Sequence, residues 1–365
     1  MLGHFTVDCY VGVIPVLYPL LIHRFSLSLE TVGLVTLAYN GMASVSQPFF
    51  GWLVDRAGTR LTGLSLAWTA LTFSATGFAP SFPVLLAVAA VAGLGSGAFH
   101  PFGAMAVSAV LPPLRRNTGM SIYVVAGTIG VALGPLIGIV AFGLLAIHGT
   151  ALLVIPGLTF AVVLMYLMRG TPVGATPRKA GLTAGRAVPV LLMAAVVGIM
   201  MSRSWTVLVL ETFTPTFYKQ LGYPASFYGP LATTIVLASA VGTVGVGSLA
   251  DRYGRRALIL ATLVLSAPMI LLYAAVTGPI AFLTGALVGL LAASSGPLML
   301  LMAQQLLSAR AGLASGLVLG IGFAAGAIGV PITGAIADRV GLQEALALQA
   351  VIVVLTIPVA MLLPS

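Results

Sequence analysis

Long apolar runs separated by short polar or Pro/Gly breaks dominate this chain. A bilayer core needs about 20 apolar residues per helix. Runs of that length recur near 3–23, 30–54, 61–80, 83–110, 118–143 and 148–168, and again near 188–217, 226–250, 257–277, 279–306, 312–337 and 342–363. The pattern predicts an all-α polytopic membrane protein with twelve transmembrane helices in two sets of six. Between the sets lies RGTPVGATPRKAGLTAGRA at 169–187, the longest polar, Pro/Gly-rich stretch, which reads as a flexible linker on the membrane surface. The chain therefore divides into an N-terminal bundle (1–168), a linker and a C-terminal bundle (188–365).

Composition narrows the class. Only 6% of the 365 residues are charged and 59% are hydrophobic, against about 25% charged in an ordinary soluble domain. So few charges cannot build a water-facing surface. The formal charge of +9 does not point to nucleic acid, because the basic residues sit in short clusters between apolar spans. With both termini inside, the inner loops hold Arg56, Arg60, Arg115, Arg116, Arg169, Arg178, Lys179, Arg186, Arg252, Arg255, Arg256 and Arg310, which are 12 of the 16 basic residues. That bias sets the orientation, with both termini cytoplasmic. Cys9 is the one cysteine, so no intrachain disulfide forms and the compartment cannot be read from it. No cleavable signal peptide is read, since the first residues already belong to a span carrying Asp8.

The two sets are also a sequence repeat. Adding 196 to Gly51, Leu53, Asp55, Arg56, Gly58 and Arg60 lands on Gly247, Leu249, Asp251, Arg252, Gly254 and Arg256. Pro101 maps onto Pro297, Gly130 onto Gly326, Pro135 onto Pro331 and Gly138 onto Gly334. Six helices per copy is an even number, so the copies share one orientation and form parallel repeats, as in transporters that rock about a central site.

Within the spans, ionisable residues stand out. A charge at the bilayer centre costs about 2.5–3.5 kcal/mol on insertion scales and usually faces a cavity. Asp8 and His4 lie four residues apart on one face of the first span. His100, in the oppositely running fourth span, comes to a similar depth. These three are the candidate proton-coupling residues, with Asp8 the first choice and histidine able to share the proton near neutrality. Arg203 and Glu211 share a face of the seventh span; Arg203 keeps its proton and is expected either to hold an acidic partner or to bind an anionic substrate. Tyr10, Tyr39, Asn40, Gln47, Tyr123, Trp205 and Gln304 are further candidates for lining a substrate cavity, as are Tyr18 and Gln305. In GTIGVALGPLIG at 127–138, Gly130, Gly134 and Gly138 give small-residue spacing for close helix packing, and Pro135 bends the helix.

GWLVDRAGTR at 51–60 and GSLADRYGRR at 247–256 resemble the loop signature G-x-L-A-D-R-x-G-R-R of the major facilitator superfamily. The resemblance implies a conformational latch built from Gly51, Asp55, Arg56, Gly58 and Arg60, and again from Asp251, Arg252 and Arg256. The 127–138 stretch resembles the superfamily's antiporter signature. Membership would also make the first and fourth helices neighbours around the cavity, so that His4, Asp8 and His100 form one cluster. HFTVDCYVGVIPVLYPLL at 4–21, QPFFGWLVDRAGTR at 47–60, GLGSGAFHPFGA at 93–104 and Arg203 in SRSW are most similar to the fosmidomycin resistance exporter branch. That branch implies a bacterial inner-membrane, proton-coupled exporter of small molecules, with a monomer expected. The chain departs from the branch at Phe102 and Met105, where the branch carries an acidic residue and an arginine.

The reading is a secondary transporter whose partners are a small-molecule substrate, protons and the bilayer, with no cofactor, metal or nucleic acid. An importer or facilitator of a small anionic metabolite is the nearest alternative. An integral-membrane transferase is remote, because such enzymes need His/Asp pairs or acidic clusters at the membrane surface, and no metal-binding cluster is expected here.

Overall fold

The computed structural model describes residues 1–111, 116–170, 190–307 and 317–364. Among these, every regular element is helical. The helices are α1 Leu2–Phe25, α2 Leu29–Thr36, α3 Met42–Ala57, α4 Thr62–Ala75, α5 Phe82–Val110, α6 Arg116–Leu145, α7 Val154–Leu167 and α8 Val190–Gln220. They continue with α9 Ala225–Tyr253, α10 Arg255–Ala275, α11 Ile280–Ala292, α12 Gly296–Leu306, α13 Gly322–Val340, α14 Leu342–Ala347 and α15 Gln349–Ala360. Nine stretches among the described residues are long and apolar enough to cross a membrane, and one of them, Ile122–Leu167, takes in both the fifth and sixth expected spans. Large apolar side chains such as Val45, Phe49, Leu144, Val241 and Leu355 are more than half exposed. That is the exterior of a protein solvated by lipid, where every backbone polar group must be satisfied within the fold. Most of the expected linker, including Arg178, Lys179 and Arg186, lies outside the described residues, as do Arg115 and Arg310.

Several expected spans, the second and the tenth among them, are not the continuous α-helices that the apolar runs suggest. The second is interrupted by a π turn at Leu37–Gly41, a wider turn often found at functional sites. The tenth, expected over 279–306, breaks between Ala292 and Gly296. Pro297 supplies the reason: it has no N–H for the carbonyl four residues back, that of Ala293.

The chain forms two compact units. The first comprises Met1–Leu27, Leu34–Arg178 and Tyr218–Thr233. Its core joins Val7, Leu66, Ala67, Phe99 and Ala161, with a second cluster of Phe50, Val54, Ala98 and Phe102. Here α6 lies on α1 in backbone contact: a Cβ on Gly130 would fall on the Phe5 carbonyl, and one on Gly12 would fall on that of Val131. Gly134 faces the Gly12 Cα and Gly138 faces Val16, so small residues set the separation of these helices. The second unit comprises Ser28–Gly33, Lys179–Phe217 and Thr234–Ser365. Within it the Asp338 carboxylate accepts hydrogen bonds from the Leu29 and Glu30 amides at 2.8 and 2.9 Å. It satisfies two otherwise unpaired donors at the start of α2, and Ser28 Oγ takes a third, from Thr31, at 3.1 Å.

Candidate functional site

The close approach of α6 to α1 puts the start of α1 beside α5 and α6 in the first unit. Asp8 sits there with two imidazoles against its carboxylate. His4 Nε2 is 3.3 Å from Oδ2 and His100 Nε2 is 3.3 Å from Oδ1. The other nitrogen of each ring is tied to the backbone: His4 Nδ1 to the Tyr123 carbonyl at 2.7 Å, and His100 Nδ1 to the Ser96 carbonyl at 2.8 Å. A carbonyl oxygen only accepts, so Nδ1 carries a hydrogen in both rings. Nε2 is then left as the variable site on each, aimed at the carboxylate.

Aromatic packing fixes the rings. Tyr123 stacks on His4 with centroids 4.0 Å apart, and His100 meets His4 edge-on at 5.3 Å. His4 is buried, Asp8 is partly buried and His100 is the most open of the three. The sequence brought Asp8, His4 and His100 forward together, but it did not single out Gly127. A Cβ there would collide with Asp8 Oδ2 and crowd His4 Nε2 at 2.8 Å. The helical register was a usable signal, since Gly127 is three residues before Gly130 on the face turned toward α1. The ligand atoms of His4, Asp8 and His100 all lie within 4.8 Å of one another. That set could also hold a metal ion, a grouping that the sequence reading did not expect.

The other candidates separate into groups. Tyr10 is a core residue: it is buried, its hydroxyl donates to the Leu153 carbonyl at 2.9 Å, and it packs on Phe73. Tyr39 is likewise fully buried, edge-on to Phe73, and Tyr18 pairs with Thr36 at 2.6 Å. These three are candidate cavity residues, and in this structure their rings are buried. Asn40, in the π turn, and Gln47 are half-buried, as is Gln304 on α12. Gln305 is exposed and accepts from Arg255 at 2.6 Å.

In the second unit, Trp205 donates to Thr333 Oγ1 at 3.0 Å and lies over Gly329. Arg203 donates from Nε to the Ala293 carbonyl at 3.0 Å, and from Nη2 to the same oxygen. It thus supplies the donor that Pro297 cannot. No described carboxylate lies within ion-pair distance of this guanidinium, and Glu211 interacts with it electrostatically over a longer range. Glu211, two turns further along α8, lines a separate cavity with Val207, Ser239 and Ala293.

Of the expected latch residues, Arg56 lies 3.7 Å over the Trp52 ring and Arg252 lies 5.3 Å over Tyr253. Arg256 donates to the Met361 carbonyl at 2.7 Å. Gly254 has a positive φ of 85°, which glycine adopts without strain. Gly58, at φ 64°, turns the first copy in the same way. Gly51 stands clear of neighbours and Arg60 is exposed. The side chains of Asp55 and Asp251 lie outside the described set.

The family model of the Major Facilitator Superfamily matches residues 1–245 and 192–365. An uncharacterized MFS-type transporter, YfnC, of Bacillus subtilis is 32% identical over 99% of this chain and 91% of its own length. The fosmidomycin resistance protein of Escherichia coli is 28% identical over 94% of this chain and 86% of its own. Among solved structures, a bacterial homolog of the human lysosomal transporter Spinster, inward-facing and occupied, superposes with a TM-score of 0.85 at 16% identity. That match covers 99% of this chain and 94% of the other. A point mutant of the nucleoside transporter NupG gives 0.77 at 13% identity, covering 99% and 97%. These two likenesses concern the fold.

Proposed function

The chain belongs to the major facilitator superfamily, and from that premise we propose that it is a proton-coupled antiporter exporting a small organic molecule by alternating access. The observation that carries this reading is the Asp8 carboxylate inside a membrane span, held between two imidazole Nε2 atoms at 3.3 Å each. With Nδ1–H committed to carbonyls in both rings, each Nε2–carboxylate contact forms a hydrogen bond only when one proton sits in it. An empty contact sets lone pair against lone pair. The cluster therefore has two proton places, and its charge runs from −1 through 0 to +1 as they fill. An ionisable group kept inside a span at the cost of insertion is expected to work in ion movement.

In this account protons enter the cluster from outside and leave it inside while substrate moves outward. The bundles 1–168 and 188–365 rock about a midplane site, tethered by 169–187, and both termini are cytoplasmic in a bacterial inner membrane. The loops at 51–60 and 247–256 act as latches of that motion. The chain works as a monomer. The likeness to the fosmidomycin resistance protein favours a drug-like substrate, while Phe102 and Met105 argue against the phosphonate itself.

A second reading, passage of a small anionic metabolite, is favoured by Arg203, a guanidinium inside a span with no described carboxylate in ion-pair reach. The test is expression of wild type and Asp8→Asn at matched levels in an efflux-deficient bacterium, scored for growth across an antibiotic panel that includes phosphonates. Resistance that disappears in the variant supports export. Resistance unchanged in the variant contradicts the role of Asp8. Uptake of an anion, abolished by Arg203→Gln and indifferent to Asp8→Asn, would establish the second reading.

A further inference from the structure

The break in the tenth span leaves backbone groups unpaired well inside an apolar helix. On one side α11 ends with the Ala293 carbonyl, which Arg203 covers. On the other, α12 starts at Gly296 with no side-chain cap. Pro297 has no N–H and Met299 already donates to the Ser295 carbonyl, so in its first turn the Gly296 and Leu298 amides are the donors without an intrahelical partner, and the helix dipole adds partial positive charge there. The Arg203 guanidinium lies against this same end: a Cβ on Gly296 would be 2.9 Å from its Cζ and 3.1 Å from Nη1. A fixed cation thus faces the positive end of a helix, with no described carboxylate in ion-pair reach of the guanidinium. The Ala293 carbonyl at the end of α11 offsets the charge on the Nε and Nη2 side of the guanidinium, while Nη1 meets only the Met200 sulfur among the described residues.

A cavity of about 10 Å³ opens at this place, lined by Arg203, Thr206, Thr262, Ser266 and Ser295 on its polar side. It is large enough for about one water-sized group. Thr206 is 1% exposed, and its hydroxyl has no hydrogen-bond partner. By contrast, Thr262 and Ser266 donate to carbonyls of their own helix at 2.9 and 3.1 Å. The Thr206 O–H is therefore a free donor, and Arg203 Nη1 has only a long contact of 3.9 Å to the Met200 sulfur.

We propose that the break between α11 and α12, with Arg203 and Thr206, is a binding site for one small anionic group, either a halide or a single oxygen of a phosphonate- or carboxylate-type molecule. Discontinuous helices whose N-termini meet anionic groups are a recurrent way of building such sites in membranes. Arg203 and the start of α12 supply positive potential, and the Thr206 hydroxyl supplies a directed donor. Glu211 lines the neighbouring cavity and interacts with Arg203 over a longer range, offsetting part of its charge. The assignment does not depend on the proton reading.

The test uses the purified full chain in detergent at constant ionic strength. Its melting temperature is followed as gluconate is replaced by chloride, and separately by methylphosphonate. The expected result is a saturable rise with at least one of the two anions, lost in Thr206→Val and in Arg203→Gln and kept in Thr206→Ser. A rise with chloride alone assigns an inorganic anion; a rise with methylphosphonate that chloride competes away assigns the head of an anionic substrate. No rise with either anion, or the same rise in Thr206→Val as in wild type, overturns the proposal. Thr206→Val nearly preserves side-chain volume, so it tests the hydroxyl if Arg203→Gln fails to fold.

Discussion

Under the 196-residue repeat, His4, Asp8 and His100 of the first unit correspond to Met200, Ser204 and Gly296 of the second. The same scaffold position thus carries opposite chemistry. In the first copy the fourth span stays helical through Pro101, and His100 turns its imidazole to a carboxylate on the first span. In the second copy the helix breaks before Pro297, glycine replaces the histidine, and a guanidinium from the seventh span fills the space. One copy builds an acid–base cluster and the other a fixed cation. The repeat preserves where spans cross, while a few substitutions decide what charge the crossing holds.

A second pair of crossings teaches the same. A Cβ on Gly33 would lie 2.9 Å from the Pro331 Cα, and one on the repeat-related Gly229 would fall on the Ile139 side chain, near the Pro135 carbonyl. Only the first of these ends in an acid. Asp338 caps α2, and its counterpart under the repeat is Phe142.

The contrast between the copies is most easily broken at Gly127. Gly127→Ala drives a methyl onto Asp8 Oδ2 and His4 Nε2. It is expected to cut pH-driven transport by about 100-fold, the scale on which small misplacements of reacting groups are felt, with the protein still folded by circular dichroism. Wild-type rates in that variant would show that the contact is loose. A smaller effect is expected at the charged crossing. Asp338→Ala removes the donor pairing at the start of α2 and should cost about 1 kcal/mol of stability, read as a lower melting temperature, while Phe142→Leu at the uncharged crossing leaves that cap intact. The smallest effect is expected at Tyr123, whose hydroxyl is buried without a partner. Tyr123→Phe keeps the ring stacked on His4 and should change stability by less than about 0.5 kcal/mol, with transport unchanged.

Much of the first copy was legible in the sequence, and the second copy less so. His4 and Asp8 are one helical turn apart in an apolar span, so their shared face follows from the helix period, and the depth of His100 follows from counting residues inward. The roles of Gly130, Gly134 and Gly138 follow from small-residue spacing. What could not be read was the partner of Arg203. An arginine in a span implies a counter-charge, and the sequence reading looked for an acid or an anionic substrate. The fold also offers the carbonyl freed by Pro297, a backbone group that no side-chain pattern announces, although Ser-Ser-Gly-Pro at 294–297 is a turn signal inside an apolar run. Tyr10 and Tyr39 are candidate cavity residues because polar aromatics are scarce in these spans; their burial here depends on neighbours far along the chain.

The proposed coupled export assigns the transported proton to Asp8. The most direct measurement reconstitutes wild type and Asp8→Asn into liposomes. It compares pH-gradient-driven flux of the substrate found in the resistance panel with exchange of that substrate at equal pH on both sides. The expected result is loss of gradient-driven flux in Asp8→Asn with exchange retained, which separates coupling from the transport path. Gradient-driven flux at the wild-type rate in Asp8→Asn would contradict that role.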